Sequence, residues 1–263
     1  MEKLKGKNAF ITGAAMGNGK GIAKVLAKHG ATIFLIDISE KVYETANEFK
    51  SKGYNANPCI VDVTKYDKIR EAVNKIIEKY NRIDILVNNA GVIKLKSFLE
   101  TTDEIRDYHF NININGVWNC TKAILPSMIE QKYGKIVNMS SVTGPMVADE
   151  GEVAYATSKA AIWGFTKGLA REVAKHNITV NAICPGYVLT PMVQGMANEV
   201  QPDNPQKVID EIANPIPMKR LADIEEIGEL AAFLSSDEST YITGTQIVID
   251  GGSTLPETVT ISA

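Results

Sequence analysis

Little in this chain points to covalent staples, metal ligation or charge-driven partners. Its three cysteines, Cys59, Cys120 and Cys184, are odd in number and far apart, which argues against a disulfide framework or zinc-type spacing. Three histidines, His29, His109 and His176, are equally isolated; they are expected on helix surfaces, and no metal is expected. No Lys/Arg-dense run occurs, and the net charge is −3, so nucleic acid is not an expected partner. The apolar runs are strand-length, and the first residues, Met-Glu-Lys-Leu-Lys-Gly-Lys, lack the apolar core of a signal peptide. No membrane association is expected, and a reduced, cytoplasmic setting is.

What is present is an ordinary globular composition, 44% hydrophobic over 263 residues, with a regular alternation of short apolar runs and helical patterns. Ala9-Phe10-Ile11, Thr32 to Asp37, the run ending Cys59 to Asp62, Ile83 to Val87, Lys135 to Ser140, Ile178 to Cys184 and Gln246 to Asp250 read as strands. Helices are expected between them, including a long stretch around Thr102 to Gln131 and another starting near Tyr155. Continuous apolar strands joined by helices predict an α/β fold, a parallel sheet covered on both faces. No repeat or linker divides it, so residues 1–263 are expected to form one domain. Pro185 to Pro217 carries six prolines and begins at the carboxyl end of a strand, where open α/β sheets bind ligands. It is expected to hold a substrate lid over about 189–214, with a plain connector as the alternative.

Tyr155 and Lys159 are four positions apart at the head of an Ala-rich helix, hence on one face. A cation beside a phenol favours phenolate and brings its pKa toward the range useful for proton transfer. Ser141 follows the preceding strand and can offer a hydroxyl to a substrate oxygen. Tyr-x-x-x-Lys alone also arises by chance as a surface pair, so the rest of the chain matters. Gly13, Gly17 and Gly19 form a turn between the first strand and helix, suited to pyrophosphate at a helix N-terminus. Asp37 ends the second strand, where a carboxylate can take ribose hydroxyls; a turn or helix-start residue is the alternative. Asn88-Asn89-Ala90-Gly91 leaves the fourth strand at the same sheet edge. Asn113, in Asn111-Ile-Asn-Ile-Asn115, is a poor helix former and suggests a kinked helix with a polar task.

Taken together, Thr12-Gly13-x-x-x-Gly17-x-Gly19, Asn88-Asn89-Ala90-Gly91, Asn113, Ser141, Tyr155-x-x-x-Lys159 and Pro185-Gly186 resemble the short-chain dehydrogenases/reductases over nearly the whole chain. Ser140-Ser-Val-Thr-Gly, Ala182-Ile-Cys-Pro-Gly-Tyr and the ending from Val248 further resemble the bacterial UcpA-type oxidoreductases, a subgroup that implies no defined substrate. The resemblance implies a Rossmann-type three-layer α/β/α sandwich, with a seven-stranded parallel sheet in the order 3-2-1-4-5-6-7. It implies catalytic roles for Tyr155 as acid/base, Lys159 as its partner, Ser141 on the substrate oxygen and Asn113 anchoring a water. It implies a cofactor site made by Gly13, Met16, Gly17, Asn18, Gly19, Asp37, Ile38, Asp62, Val63, Asn89, Ala90, Gly91, Tyr155, Lys159, Pro185, Gly186, Val188 and Thr190. Two departures stand out: Met16 and Asn18 in the glycine turn, and a Ser141-to-Tyr155 interval one residue longer than is frequent. Ser140, adjacent to Ser141, is the competing serine.

The function expected is NAD(H)-dependent hydride transfer between nicotinamide and a small-molecule carbonyl or alcohol. NAD is expected because Asp37 would repel a 2′-phosphate, while Ile38, Ser39 and Met16 offer no cation and Lys41 is expected to face solvent. The alternatives are a non-catalytic dinucleotide sensor or scaffold and an NADP-dependent ketoacyl-thioester reductase. For the latter, Lys94, Lys96 and Arg220 form no clear docking patch. A homotetramer is expected from the family and from Trp118 and Trp163 on the long helices.

Overall fold

The computed structural model describes residues 2–255. In chain order the elements are β1 (Asn8–Thr12), α1 (Gly17–Lys28), β2 (Thr32–Asp37), α2 (Lys41–Ser51), β3 (Ala56–Ile60), α3 (Tyr66–Tyr80), β4 (Ile85–Asn88), α4 (Asp103–His109), α5 (Gly116–Glu130), β5 (Gly134–Met139), α6 (Val153–Val173), β6 (Ile178–Pro185), α7 (Pro191–Val200), α8 (Pro205–Ala213), α9 (Ile224–Ser235) and β7 (Gln246–Ile249). All seven strands pair in parallel in the order β3-β2-β1-β4-β5-β6-β7, as the family resemblance implied. The order reverses between β1 and β4, which opens a crevice at the carboxyl ends of those strands.

Alternate residues of the central strands feed two cores, because successive side chains leave opposite faces. Ala9, Ile11, Ile33 and Leu35 meet Ile22, Leu26, Phe49 and Ile227 on one face. Phe10, Phe34, Leu86 and Ile136 meet Ile69, Val73, Ile124 and Val173 on the other. Strands buried on both faces read as continuous apolar runs, which explains why they were visible in the sequence.

Three local outcomes refine or depart from expectation. The Thr102 to Gln131 stretch, where Asn113 suggested a kinked helix, forms α4 and α5 joined by a π-helical segment, Phe110–Asn115; such widened turns re-aim side chains and recur at functional sites. The proline-rich stretch forms two helices, α7 and α8, with Pro191 and Pro205 in their first turns, where a missing N–H costs nothing. These two helices share a small core of Ala197, Val208, Ile209, Ala213, Ile216 and Leu221. His109 is fully buried rather than on a helix surface. Its Nε2 accepts from Lys94 N at 3.0 Å and its Nδ1 donates to Ile105 O at 2.7 Å, so both ring nitrogens are used and one neutral tautomer satisfies them. The last part of the expected tail, 256–263, lies outside the described residues. Among those described, no helix is long and apolar enough to cross a membrane.

Candidate active site

A cleft of about 870 Å³ runs from Asp37 and the glycine turn to Ser141, Tyr155 and Lys159. Its floor is the carboxyl edge of the sheet. At the first end, Gly13 and Gly17 have φ of 65° and 55°, conformations that cost other residues dearly. A Cβ on Gly13 would meet the Asn89 amide at 2.8 Å, and one on Gly19 would collide with Gly13 O. Only glycine lets this turn lie so close to the strand beneath it.

Thr12, part of the motif but given no role by sequence reasoning, is the hub of that edge. Its hydroxyl accepts from Asn89 N and Ala90 N, each at 3.0 Å, and Asn89 Nδ2 donates to Thr12 O and Gly13 O at 3.0 and 3.1 Å. Asn89 therefore lines the cleft while its amide ties β4 to the glycine turn. Asn18 also lines the cleft, and its Oδ1 is buried without a hydrogen-bond partner.

Asp37 accepts from Ala15 N through Oδ2 and from Ser39 N through Oδ1, both at 2.9 Å. The carboxylate is thus fixed by backbone, and each oxygen keeps a further lone pair toward the cleft. Ile38 beside it is 69% exposed. Beyond Met16 an adjoining hollow of about 310 Å³ is lined by Lys20, Lys41, Glu44 and Glu48, among others. Lys41 is exposed, as expected, yet it faces this hollow. Lys20 is a cation that sequence reasoning passed over; it is bonded to Glu48 at 2.6 Å. Lys20, then Lys52, hold the Glu48 carboxyl down at about 2. Two lysines against two glutamates leave the hollow without net positive charge.

Asp62, Val63, Ala90, Gly91, Pro185, Gly186, Val188 and Thr190 all line the same cleft. Asp62 Oδ1 accepts from Thr64 N at 2.8 Å. Thr190 caps α7, its hydroxyl accepting from Val193 N at 3.3 Å, and its methyl lies near Gly17.

At the other end the two candidate serines part. Ser140 is buried and donates to Lys159 O at 2.9 Å, whereas Ser141 lines the cleft and accepts from Thr143 N at 3.1 Å. The buried Lys159 ammonium donates to Met139 O at 2.9 Å and lies 5.6 Å from the Tyr155 ring centroid. Burial pulls its pKa down to about 8, opposed by nearby Cys184. Burial likewise raises the Tyr155 phenol above its usual value; a hydrogen bond with Ser141 opposes this, and the Glu152 charge adds to it. The expected depression of the phenol by Lys159 is not found: burial is the larger influence, and what opposes it comes from Ser141.

Asn113 sits in the π-helical segment and is buried. Its Oδ1 accepts from Val92 N at 2.8 Å, and its Nδ2 donates to Val92 O at 3.0 Å and Ser158 Oγ at 2.9 Å. Ser158 in turn donates to Tyr155 O at 2.7 Å. Asn113 therefore clamps the segment after β4 to the helix of Tyr155. Beneath it, Asn88 donates to Asn138 and Thr121, and Asn138 to Thr166, a buried polar ladder between β4, β5 and α6.

The family whose sequence model is described as enoyl-(acyl carrier protein) reductase matches residues 13–254. The chain is 57% identical over 261 residues to oxidoreductase UcpA of Salmonella typhimurium, covering 99% of each. It is 41% identical over 251 residues to the 3-oxoacyl-[acyl-carrier-protein] reductase FabG of Thermotoga maritima, covering 95% of this chain and 98% of that one. Among solved structures it resembles levodione reductase, with a TM-score of 0.89, 31% identity and coverage of 96% of this chain and 99% of that chain.

Proposed function

The chain belongs to the short-chain dehydrogenase/reductase family of oxidoreductases, which bind a nicotinamide dinucleotide, and we propose that it is an NAD(H)-dependent enzyme acting on a carbonyl/alcohol pair. The observation that carries this is the continuity of one cleft from Asp37 to Tyr155. The glycine turn that admits no Cβ, at the head of α1, suits a phosphate-bearing guest at one end. When bound, the dinucleotide supplies or accepts the hydride.

The chain's own groups do the rest. Ser141 holds the substrate oxygen. Tyr155 gives that oxygen a proton during reduction and takes it back during oxidation. Lys159, fixed by Met139 O, keeps positive charge beneath the phenol and offers its remaining donors to the nicotinamide ribose. Asn113 keeps the Val92 segment and the Tyr155 helix in register, and by resemblance anchors a water next to Lys159.

Asp37 supports NAD over NADP. Its fixed carboxylate accepts ribose hydroxyls and repels a 2′-phosphate, and the hollow beside it has Lys20 paired with Glu48 and Lys41 opposed by Glu44. A second reading, an NADP-dependent ketoacyl-thioester reductase, draws on the 41% identity to the Thermotoga reductase and on those same two lysines. Against it, Arg220 is spent on Glu226 at 2.7 and 2.8 Å, leaving less of a basic patch for an acidic carrier.

Steady-state kinetics with NADH and NADPH on sugars, polyols, hydroxy acids, steroids, small aldehydes and an acetoacetyl thioester tests both readings. NADH-driven turnover favoured about a hundredfold is expected. Preference for NADPH and the thioester moves the assignment to the second reading, and no turnover on any of them leaves a dinucleotide-binding sensor.

A further inference from the structure

Asp149-Glu150-Gly151-Glu152 puts three carboxylates within four positions just ahead of Tyr155. Two of them, Asp149 and Glu152, line the same cleft as Tyr155, Tyr108 and Tyr187. An acid at the start of a helix usually serves the helix, by accepting from its free N–H groups. Glu152 is the N-cap of α6, yet its side chain makes no such bond. Its Oε2 is shielded from solvent and has no hydrogen-bond partner, a costly state for a carboxylate oxygen. Its charge reaches both neighbouring phenols, adding to burial at Tyr155 and, after Asp149, at Tyr187.

Among the described residues, the cleft offers no free cation to answer that charge. Among the residues lining it, Lys159 is the single cation, and its ammonium is buried and held by Met139 O. The substrate end is therefore a pocket of net negative charge walled by phenol rings. Tyr108 and Tyr187 are both half-exposed there, at 47%, with rings available to a cation.

We propose that Glu152, backed by Asp149, makes this cleft selective for carbonyl or alcohol substrates that carry a protonated amine a few bonds from the reacting carbon, and selective against carboxylates and phosphates. The proposal rests on the hydride-transfer function above. An ammonium in the cleft supplies the countercharge that the Glu152 carboxylate lacks and offsets the paired acids. A neutral hydroxyl does not offset that charge. An anionic end adds like-charge repulsion, which low-dielectric walls strengthen.

The test is kcat/KM with NADH for three ketones of matched length ending in ammonium, hydroxyl or carboxylate, at low salt, for the wild type, Glu152→Gln and Asp149→Asn. The expected order is ammonium, then hydroxyl, then carboxylate, with at least about tenfold between the extremes. Glu152→Gln should shrink that gap severalfold, and Asp149→Asn, an exposed position that does not endanger folding, should shrink it less; NADH affinity by fluorescence titration should stay at the wild-type value in both. Turnover with a flat or carboxylate-first order, or a gap unchanged in Glu152→Gln, overturns the proposal and leaves the hydride-transfer reading standing. Absence of NADH-dependent turnover with every ketone overturns both. Calorimetric binding of the three matched alcohols to the enzyme–NAD complex gives a second measure of the order, independent of rate.

Discussion

The Lys159 ammonium lies 5.6 Å from the centre of the Tyr155 ring and spends a hydrogen bond on Met139 O, so the pair is aligned but not in direct contact. Burial then acts on both partners in the direction of neutrality, raising the phenol and lowering the ammonium to about 8.

Tyr155→Phe should fold, retain NADH binding and lose about a hundredfold to ten-thousandfold in kcat, the usual contribution of a positioned acid/base. Because the wild-type phenol is raised, it stays protonated through neutrality. Carbonyl reduction should therefore hold up at low pH and decline as pH rises, while alcohol oxidation should climb with pH. Near-normal turnover in the variant at pH 7 would remove Tyr155 from the mechanism.

Lys159 carries a stability penalty. Its folded pKa is below the value near 10.5 it has when unfolded, so the unfolded chain binds more protons between about pH 8 and pH 10.5 and stability rises with pH across that window. Below pH 8 the full penalty applies, on the order of 3 kcal/mol. Lys159→Met should lose rate and cofactor affinity yet unfold at higher urea than wild type at pH 7, with the difference narrowing by pH 9.5. A variant less stable than wild type at pH 7 would show that the Met139 bond outweighs desolvation.

Asp37→Ala should narrow the NADH-to-NADPH ratio of kcat/KM, chiefly through weaker NADH binding, because charge-assisted bonds to ribose hydroxyls are worth roughly 1.5–3 kcal/mol. Adding Glu48→Gln should shift the ratio further toward NADPH by freeing Lys20. An unchanged ratio in both would mean that Asp37 is not the ribose ligand.

We propose that residues 189–214 close over the guest as a unit, since α7 and α8 share their own small core and Met192, which lines the cleft, and Met196, four residues on along α7, are exposed at 62% and 41%. Methionines adapt to varied apolar surfaces, and lids of this kind gate many enzymes. Hydrogen exchange should slow across α7 and α8 when NADH and a substrate analogue are added together. Equal protection with and without them would reduce the segment to a connector.

A homotetramer remains our proposal for the assembly. Trp118 is 56% exposed on α5 and packs only partly, its ring 5.6 Å from Phe165 on α6, while Trp163 is half-buried under Lys167. Two long helices with large apolar side chains left open are suited to pairing across a two-fold axis. Light scattering at micromolar concentration should give four times the mass of one chain, and Trp118→Glu should lower it. A monomeric mass for the wild type would refute the assembly.

The sequence by itself determined what depends on near neighbours along the chain. Strand identity followed from unbroken apolar runs, and the glycine turn from residues that tolerate positive φ. The shared face of Tyr155 and Lys159 followed from four-residue spacing. Tertiary structure decided what depends on residues far apart in the chain. It separated Ser140, turned inward to Lys159 O, from Ser141 in the cleft, a distinction invisible between adjacent identical residues. It buried His109 by giving it the Lys94 backbone as a partner, and it made Thr12 the point where β1 and β4 join. It drew Lys20 away to Glu48. Burial, set by the packed fold, also decided the direction of the Tyr155 shift, because desolvation of a charge grows with the whole surrounding shell and not with its nearest cation alone. For the same reason Glu152, which the sequence reading gave no role, becomes an unpartnered acid beside the Tyr155 phenol only in three dimensions.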